Sequence, residues 1–216
     1  MSSVRTLIYL IVAACSVLVV CLLNGLEIPA AVAKFIASTA FIALAVRSGA
    51  LASAYGRMIL AGLVLSFFGD MFLVGSSQVA FLGGLAAFLL AHVAYVSAFV
   101  KHGYNRRWIW VAVLPVTAIA IAVFTWLEPH IPADLMYPVR AYIVVISMMV
   151  IFAIGTRGNG GSLLIVVGAI LFFLSDLSVA ALRLVQTEYA TYVIGLPLYY
   201  AGQVCLALSS SQSRSH

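Results

Sequence analysis

Inside long apolar stretches the sequence keeps a few groups able to handle protons: the carboxyls of Asp70 and Asp176, the imidazole of His92, and the hydroxyls of Tyr95, Tyr199 and Tyr200. An ionisable side chain deep in a bilayer costs on the order of 2.5–3.5 kcal/mol, so such a group is either paired structurally or functional. Asp70 lies thirteen residues beyond Arg57, and Asp176 fourteen beyond Ser162. At 1.5 Å per residue both sit roughly 20 Å along helices that run the same way, hence at similar depth. Two carboxyls sharing a semi-apolar cavity separate their protonations, so one keeps a proton while the other is an anion. That combination suits acid–base hydrolysis of a lipid-like substrate. It equally suits a proton relay in a small transporter. A third reading is a lipid-binding protein without turnover, in which both carboxyls are fully paired.

His92 and Tyr95 share one helix face a turn apart, and Tyr199, Tyr200 and Gln203 share most of another. Lys34, Arg140 and Arg183 fall near the ends of apolar runs, where long cationic side chains snorkel toward headgroups. Asp176 and Arg183, seven residues apart, are spaced for an ion pair along one face. There is no GxSxG elbow, HExxH, Walker motif or dinucleotide fingerprint. Cys15, Cys21 and Cys205 lie inside apolar runs without metal spacing and read as small buried hydrophobes. No metal and no organic cofactor are expected.

The elements that must position these groups follow from composition. The chain has 216 residues, 65% apolar and 8% charged, with mean hydropathy +1.18. A soluble domain is nearer 45–50% apolar and about 25% charged, so a cytosolic enzyme is excluded. Eight spans are predicted, at about 4–23, 29–46, 57–74, 79–100, 108–127, 138–154, 162–184 and 189–208. The fold class is therefore an all-α polytopic bundle, one transmembrane domain over 1–208 with a short polar tail at 209–216. The first span reads as an uncleaved helix although Ala31-Val32-Ala33 resembles a cleavage site.

The net charge of +5 does not suggest nucleic acid, because the basic residues sit singly at span ends. Arg5, Arg47, Arg57, Lys101, Arg106, Arg107, Arg157 and Arg214 fall on one side, with Glu27, Glu128, Asp134 and Glu188 on the other. The positive-inside rule then predicts both termini in the cytoplasm, in what reads as a bacterial inner membrane. Residues 61–70 echo 167–176 at an offset of 106, with Gly62, Leu65, Phe67 and Asp70 matched by Gly168, Leu171, Phe173 and Asp176. That offset suggests two parallel four-helix repeats.

Four segments carry a resemblance: Ser66-Phe-Phe-Gly-Asp70, Phe88-Leu-Leu-Ala-His92-Val-Ala-Tyr95, Gly168-Ala-Ile-Leu-Phe-Phe-Leu-Ser-Asp176 and Tyr199-Tyr-Ala-Gly-Gln203. In this order they resemble the motifs of the YhhN-like family, whose animal members are lysoplasmalogenases. The resemblance covers the third to last spans well and the first hardly at all. One departure is that Lys34 is followed by Phe35, where the family usually carries Lys-Pro. The resemblance implies hydrolysis of the vinyl ether of a lysophospholipid or related ether lipid, with Asp70 and Asp176 as the catalytic carboxyls. It would leave His92, Tyr95, Tyr200 and Gln203 to position water and glycerol oxygens, and Lys34 or Arg183 to hold the phosphate.

Overall fold

A computed structural model describes residues 2–211; Arg214 and the tail residues 212–216 lie outside the described residues. Eight long helices follow one another: α1 (Ser2–Leu23), α2 (Glu27–Arg47), α3 (Ala54–Phe72), α4 (Gln78–His102), α5 (Arg106–Leu127), α6 (Met136–Thr156), α7 (Leu163–Ala180) and α8 (Tyr192–Ser209). Each is long and apolar enough to cross a bilayer, and no strand occurs among the described residues. The chain is thus an all-α, multi-pass membrane protein. Helices are the natural outcome, since lipid offers no partner for backbone N–H and C=O groups.

Capping explains where several helices start. α3 begins at Ala54, ahead of the expected 57, because the Ser53 hydroxyl accepts from the Gly56 N–H at 2.9 Å. Ser77 and Ser162 cap α4 and α7 in the same way. The seventh span departs from expectation at its far end. Its α-helical part stops at Ala180 and passes into a π turn, Ala181–Val185, closed by Gln186 at φ 56°. α8 starts only at Tyr192, because Thr191 and Ser178 exchange two hydrogen bonds of 2.7 and 2.9 Å that tie the connector to α7.

Consecutive helices pair as hairpins: α1 with α2, α3 with α4, α5 with α6, α7 with α8. Between hairpins, α2 packs on α3 and α6 on α7, while α4 packs on α6 and α8 on α2. Exchanging each helix with the one four places later reproduces this scheme, the pattern of two parallel repeats about an axis along the bundle. The contacts of α8 with α1 and α3 lack equally extensive counterparts. α2, α3, α4, α6, α7 and α8 close a ring, with α5 lying outside it against α6.

Small residues let the hairpins close up. Gly168 lies against the Gly202 carbonyl between α7 and α8, and Gly62 lies under the Tyr95 ring between α3 and α4. A side chain at 62 would meet that ring, which is fully buried and tied to Gln203 by its hydroxyl. Gly62→Val is therefore expected to lower stability by about 1–3 kcal/mol. Ala61→Val, on the exposed lipid-facing side, should change it by less than about 0.5 kcal/mol. Thermal unfolding of both variants in detergent checks the contrast.

Candidate active site

Asp70 leaves α3 two residues before the helix ends and turns toward α2 and α8. Its Oδ2 accepts a hydrogen bond from the Ser38 hydroxyl at 2.6 Å and another from the Tyr199 hydroxyl at 2.7 Å. The Ser38 hydroxyl lies 3.3 Å from that of Tyr200, which extends the network behind the carboxyl. Lys34, one turn before Ser38 on α2, lies within electrostatic reach of Asp70 and of Arg183.

Asp176 is treated differently. Its Oδ2 accepts from the Tyr142 hydroxyl at 2.7 Å, and His92 Nε2 stands 3.5 Å away. The His92 ring makes no hydrogen bond of good geometry, although the Phe88 carbonyl one turn back is near it. The ring is instead packed at 4.6 Å on Phe172 and edge-on at 5.2 Å to Tyr142. Phe172 in turn meets Tyr199 at 5.3 Å, so one aromatic stack joins the surroundings of both carboxyls.

The two carboxyls are close enough for their charges to interact, and they line one cavity of about 360 Å³. Lys34, Tyr142, Tyr199 and Arg183 also reach this cavity, whose remaining wall is mainly aliphatic and aromatic. It occupies the end of the bundle that carries Glu128, Asp134 and Glu188 in its connectors. Toward the other end of the bundle Ile59, Leu63, Tyr95 and Phe99 are fully buried. No cluster of three or more His, Cys, Asp or Glu side chains forms among the described residues.

The site residues expected from sequence thus divide into two groups. Asp70, Asp176, Lys34 and Arg183 meet at the cavity. His92 and Tyr200 stand behind it, against Asp176 and Ser38. Tyr95 and Gln203 are not brought to the wall. They bond each other at 2.9 Å, with Ser66 at 3.5 Å from Tyr95, about one turn deeper. Arg183 does not pair with Asp176. The π turn intervenes, and Arg183 lies 6.0 Å over the Phe81 ring, exposed. Arg140 sits outside the cavity, half exposed and 3.7 Å from Glu128, a surface pair of little energetic weight. Cys15 and Cys21 are buried as expected, whereas Cys205 is only half-buried.

Ser38 and Tyr142 donate directly to the carboxyls and were not among the expected residues. The spacing of Lys34 and Ser38 was the available signal for the first. Nothing local distinguishes Tyr142 from other tyrosines near span ends.

The fold and site define a multi-pass membrane protein with one buried and one half-buried carboxyl, Asp70 and Asp176, facing a largely apolar cavity. The chain belongs to the YhhN family, whose model matches residues 29–210. It is similar to "Lysoplasmalogenase TMEM86A" of Bos taurus, at 30% identity over 162 residues covering 72% of this chain and 66% of that one. It is 32% identical to "Lysoplasmalogenase TMEM86B" of Sus scrofa over 159 residues, 74% of this chain and 66% of the relative. A "Lysoplasmalogenase" of Mycobacterium bovis is 30% identical over 150 residues, 67% of this chain and 56% of the relative. The matched part of the chain thus spans just under two thirds of the animal relatives' length, and less of the bacterial one. No solved structure gives a match.

Hydrogen bonding at Asp70 makes a stability prediction. Asp70→Asn keeps an oxygen for Ser38 and Tyr199 and should unfold within about 1 kcal/mol of the parent. Asp70→Leu takes the acceptor from the Tyr199 hydroxyl and leaves Ser38 only Tyr200, and should cost about 1–3 kcal/mol. Detergent-phase thermal melts of the two variants, run side by side, test the difference.

Proposed function

We propose that this chain is an integral membrane hydrolase that cleaves the vinyl ether bond of lysoplasmalogens, releasing a fatty aldehyde and a glycerophospho-alcohol. The observation that carries this reading is the meeting of two carboxyls on one wall of a largely apolar cavity, in a family where similar members are named lysoplasmalogenases. Both carboxyls reach a single cavity with a mainly apolar wall, which suits hydrolysis of a lipid-like substrate. We also place both termini in the cytoplasm of a bacterium, with the cavity in the opposite half of the inner membrane.

A vinyl ether hydrolyses by taking a proton at its β-carbon. The resulting oxocarbenium ion is attacked by water, the water loses a proton, and the hemiacetal breaks its C–O bond to give aldehyde and alcohol. The two carboxyl environments fit the two tasks. Asp70 receives two hydroxyl donors and faces Lys34, the surroundings of an anion that stabilises the cation. Asp176 receives one hydroxyl and has the imidazole beside it, and we assign it the proton donor. Its carboxylate then takes the proton released by the attacking water, which restores the starting state. Lys34 and Arg183, at the cavity's outer rim, hold the phosphate. His92, Tyr95, Tyr200 and Gln203 act from behind, fixing the groups that face the substrate. The route uses no metal or organic cofactor.

Purified protein in detergent, assayed for aldehyde release from choline and ethanolamine lysoplasmalogens, is the test. Asp70→Asn and Asp176→Asn should each lose on the order of 10²-fold or more in kcat while remaining monodisperse. Unchanged release in both variants removes the mechanism. Tight lysolipid binding by the parent protein with no aldehyde at all points to a lipid-binding protein without turnover.

A further inference from the structure

α5 is loosely held by the rest of the molecule. Only Ala112, Val116 and Leu127 of its 22 residues are buried. It packs along α6 and touches the short turns Glu128–His130, Arg157–Asn159 and Ala181–Val185, with no comparable packing on α4 among the described residues. Yet its last turns reach the cavity through Val123 and Leu127, and the first turns of α4 reach it through Phe81 and Leu85. One cavity wall is therefore shared by two helices whose backbones stay apart and whose side chains meet in the small apolar cluster of Phe81, Val123 and Leu127. Pro115 weakens α5 further, since it has no N–H to give to the Val111 carbonyl. At the rim, an exposed hydrogen bond from Gln78 Nε2 to Asp134 Oδ2, at 2.8 Å, links the start of α4 to the connector after α5.

The size of the cavity bears on the same wall. At about 360 Å³ the cavity is near the lower end of ligand pockets, which run from about 300 to 1,000 Å³ and enclose drug-sized molecules. A long-chain lysophospholipid is longer than such molecules, so part of its chain extends beyond the cavity. The carboxyls and Lys34 occupy the polar wall, so a chain whose reacting end lies there must run out along the aliphatic one.

We infer that the seam between the start of α4 and the end of α5, lined by Phe81, Leu85, Val123 and Leu127, is a lateral portal through which a lysolipid enters from the bilayer and along which its far chain rests. This rests on the lysolipid reading above. The outer surface of the seam faces lipid, so the entering chain passes from one apolar medium to another without crossing water. To widen it, the end of α5 must part Val123 and Leu127 from Phe81, leaving the rest of the bundle in place.

The test replaces Cys15, Cys21 and Cys205 with Ala, places cysteines by Phe81→Cys and Val123→Cys, and bridges them with a short bifunctional thiol reagent. Bridging should slow turnover of a long-chain lysoplasmalogen about tenfold or more. Turnover of a short-chain, water-soluble vinyl ether analogue should stay within about twofold, and reduction of the bridge should restore the first rate. Equal loss on both substrates, or no loss on either, overturns the portal. Val123→Trp is the uncrosslinked counterpart and should show the same selectivity. Association of a fluorescent, non-hydrolysable alkyl lysophosphocholine is followed in parallel. If the parent protein binds this probe and releases no aldehyde, the hydrolase reading fails, while slowed association on bridging still supports the portal and unchanged association still overturns it.

Discussion

A carboxyl group two residues from the end of an apolar helix must find its donors on other helices. Its own backbone is fully bonded, and lipid offers nothing. Asp70 meets this demand with Ser38 from α2 and Tyr199 from α8, at 2.6 and 2.7 Å. Two hydrogen bonds to a charged group contribute about 1.5–3 kcal/mol each, enough to offset an insertion cost of about 2.5–3.5 kcal/mol. The consequence reaches well beyond the site. α2 and α8 must be held beside α3, and α4 and α6 beside α7, or the carboxyls lose their partners. The close approach of glycine-bearing helices at Gly62 and at Gly168 with Gly202 is what permits those distances.

The pseudo-symmetric packing explains how two carboxyls in one cavity come to differ. Each aspartate is served by the second helix of its own half and the fourth helix of the other: Ser38 and Tyr199 for Asp70, Tyr142 and His92 for Asp176. The scaffold is shared and the donors have diverged. The cations diverge too. Lys34 and Arg140 are separated by the same 106 residues as the two aspartates. Lys34 points into the cavity, whereas Arg140 lies outside it beside Glu128 and over Phe124. Proton chemistry needs this inequality, since two carboxyls with identical surroundings have no reason to hold different protonation states.

Much of this was legible in the residues alone. Uninterrupted apolar runs left little choice but eight helices, and the offset between the aspartates placed both at one depth. Less legible was which neighbour each helix face meets. His92 and Tyr95 share a face of α4, yet one reaches Asp176 and the other Gln203, because α6, α7 and α8 all lie within reach of that face. Ser38 and Tyr142 were hidden for a related reason: a hydroxyl in an apolar run commonly bonds its own helix, and only tertiary packing selects the exceptions. The π turn at Ala181–Val185 has no signature in hydropathy, and it is what separates Arg183 from Asp176.

Depth in the membrane is the remaining constraint on a lipid hydrolase, since water, a proton and a hydrocarbon chain must meet at one point. Asp70 lies about 3 Å from one end of α3 and about 24 Å from the other, at 1.5 Å per residue. Water therefore has a short path from the end that carries the acidic connectors. Going the other way, Ser66, Tyr95 and Gln203 continue the polar groups for about one turn, and the fully buried Ile59, Leu63 and Phe99 follow. A proton leaving Asp70 or Asp176 exchanges, under the hydrolase reading, through the cavity mouth. Under the hydrolase reading, water and the glycerophospho-product share that mouth, while the apolar seam is left to the chain. That division puts Lys34 where the product leaves and Arg183, over the Phe81 ring, at the edge where mouth and seam meet, and it keeps the aldehyde's long tail in the medium it came from.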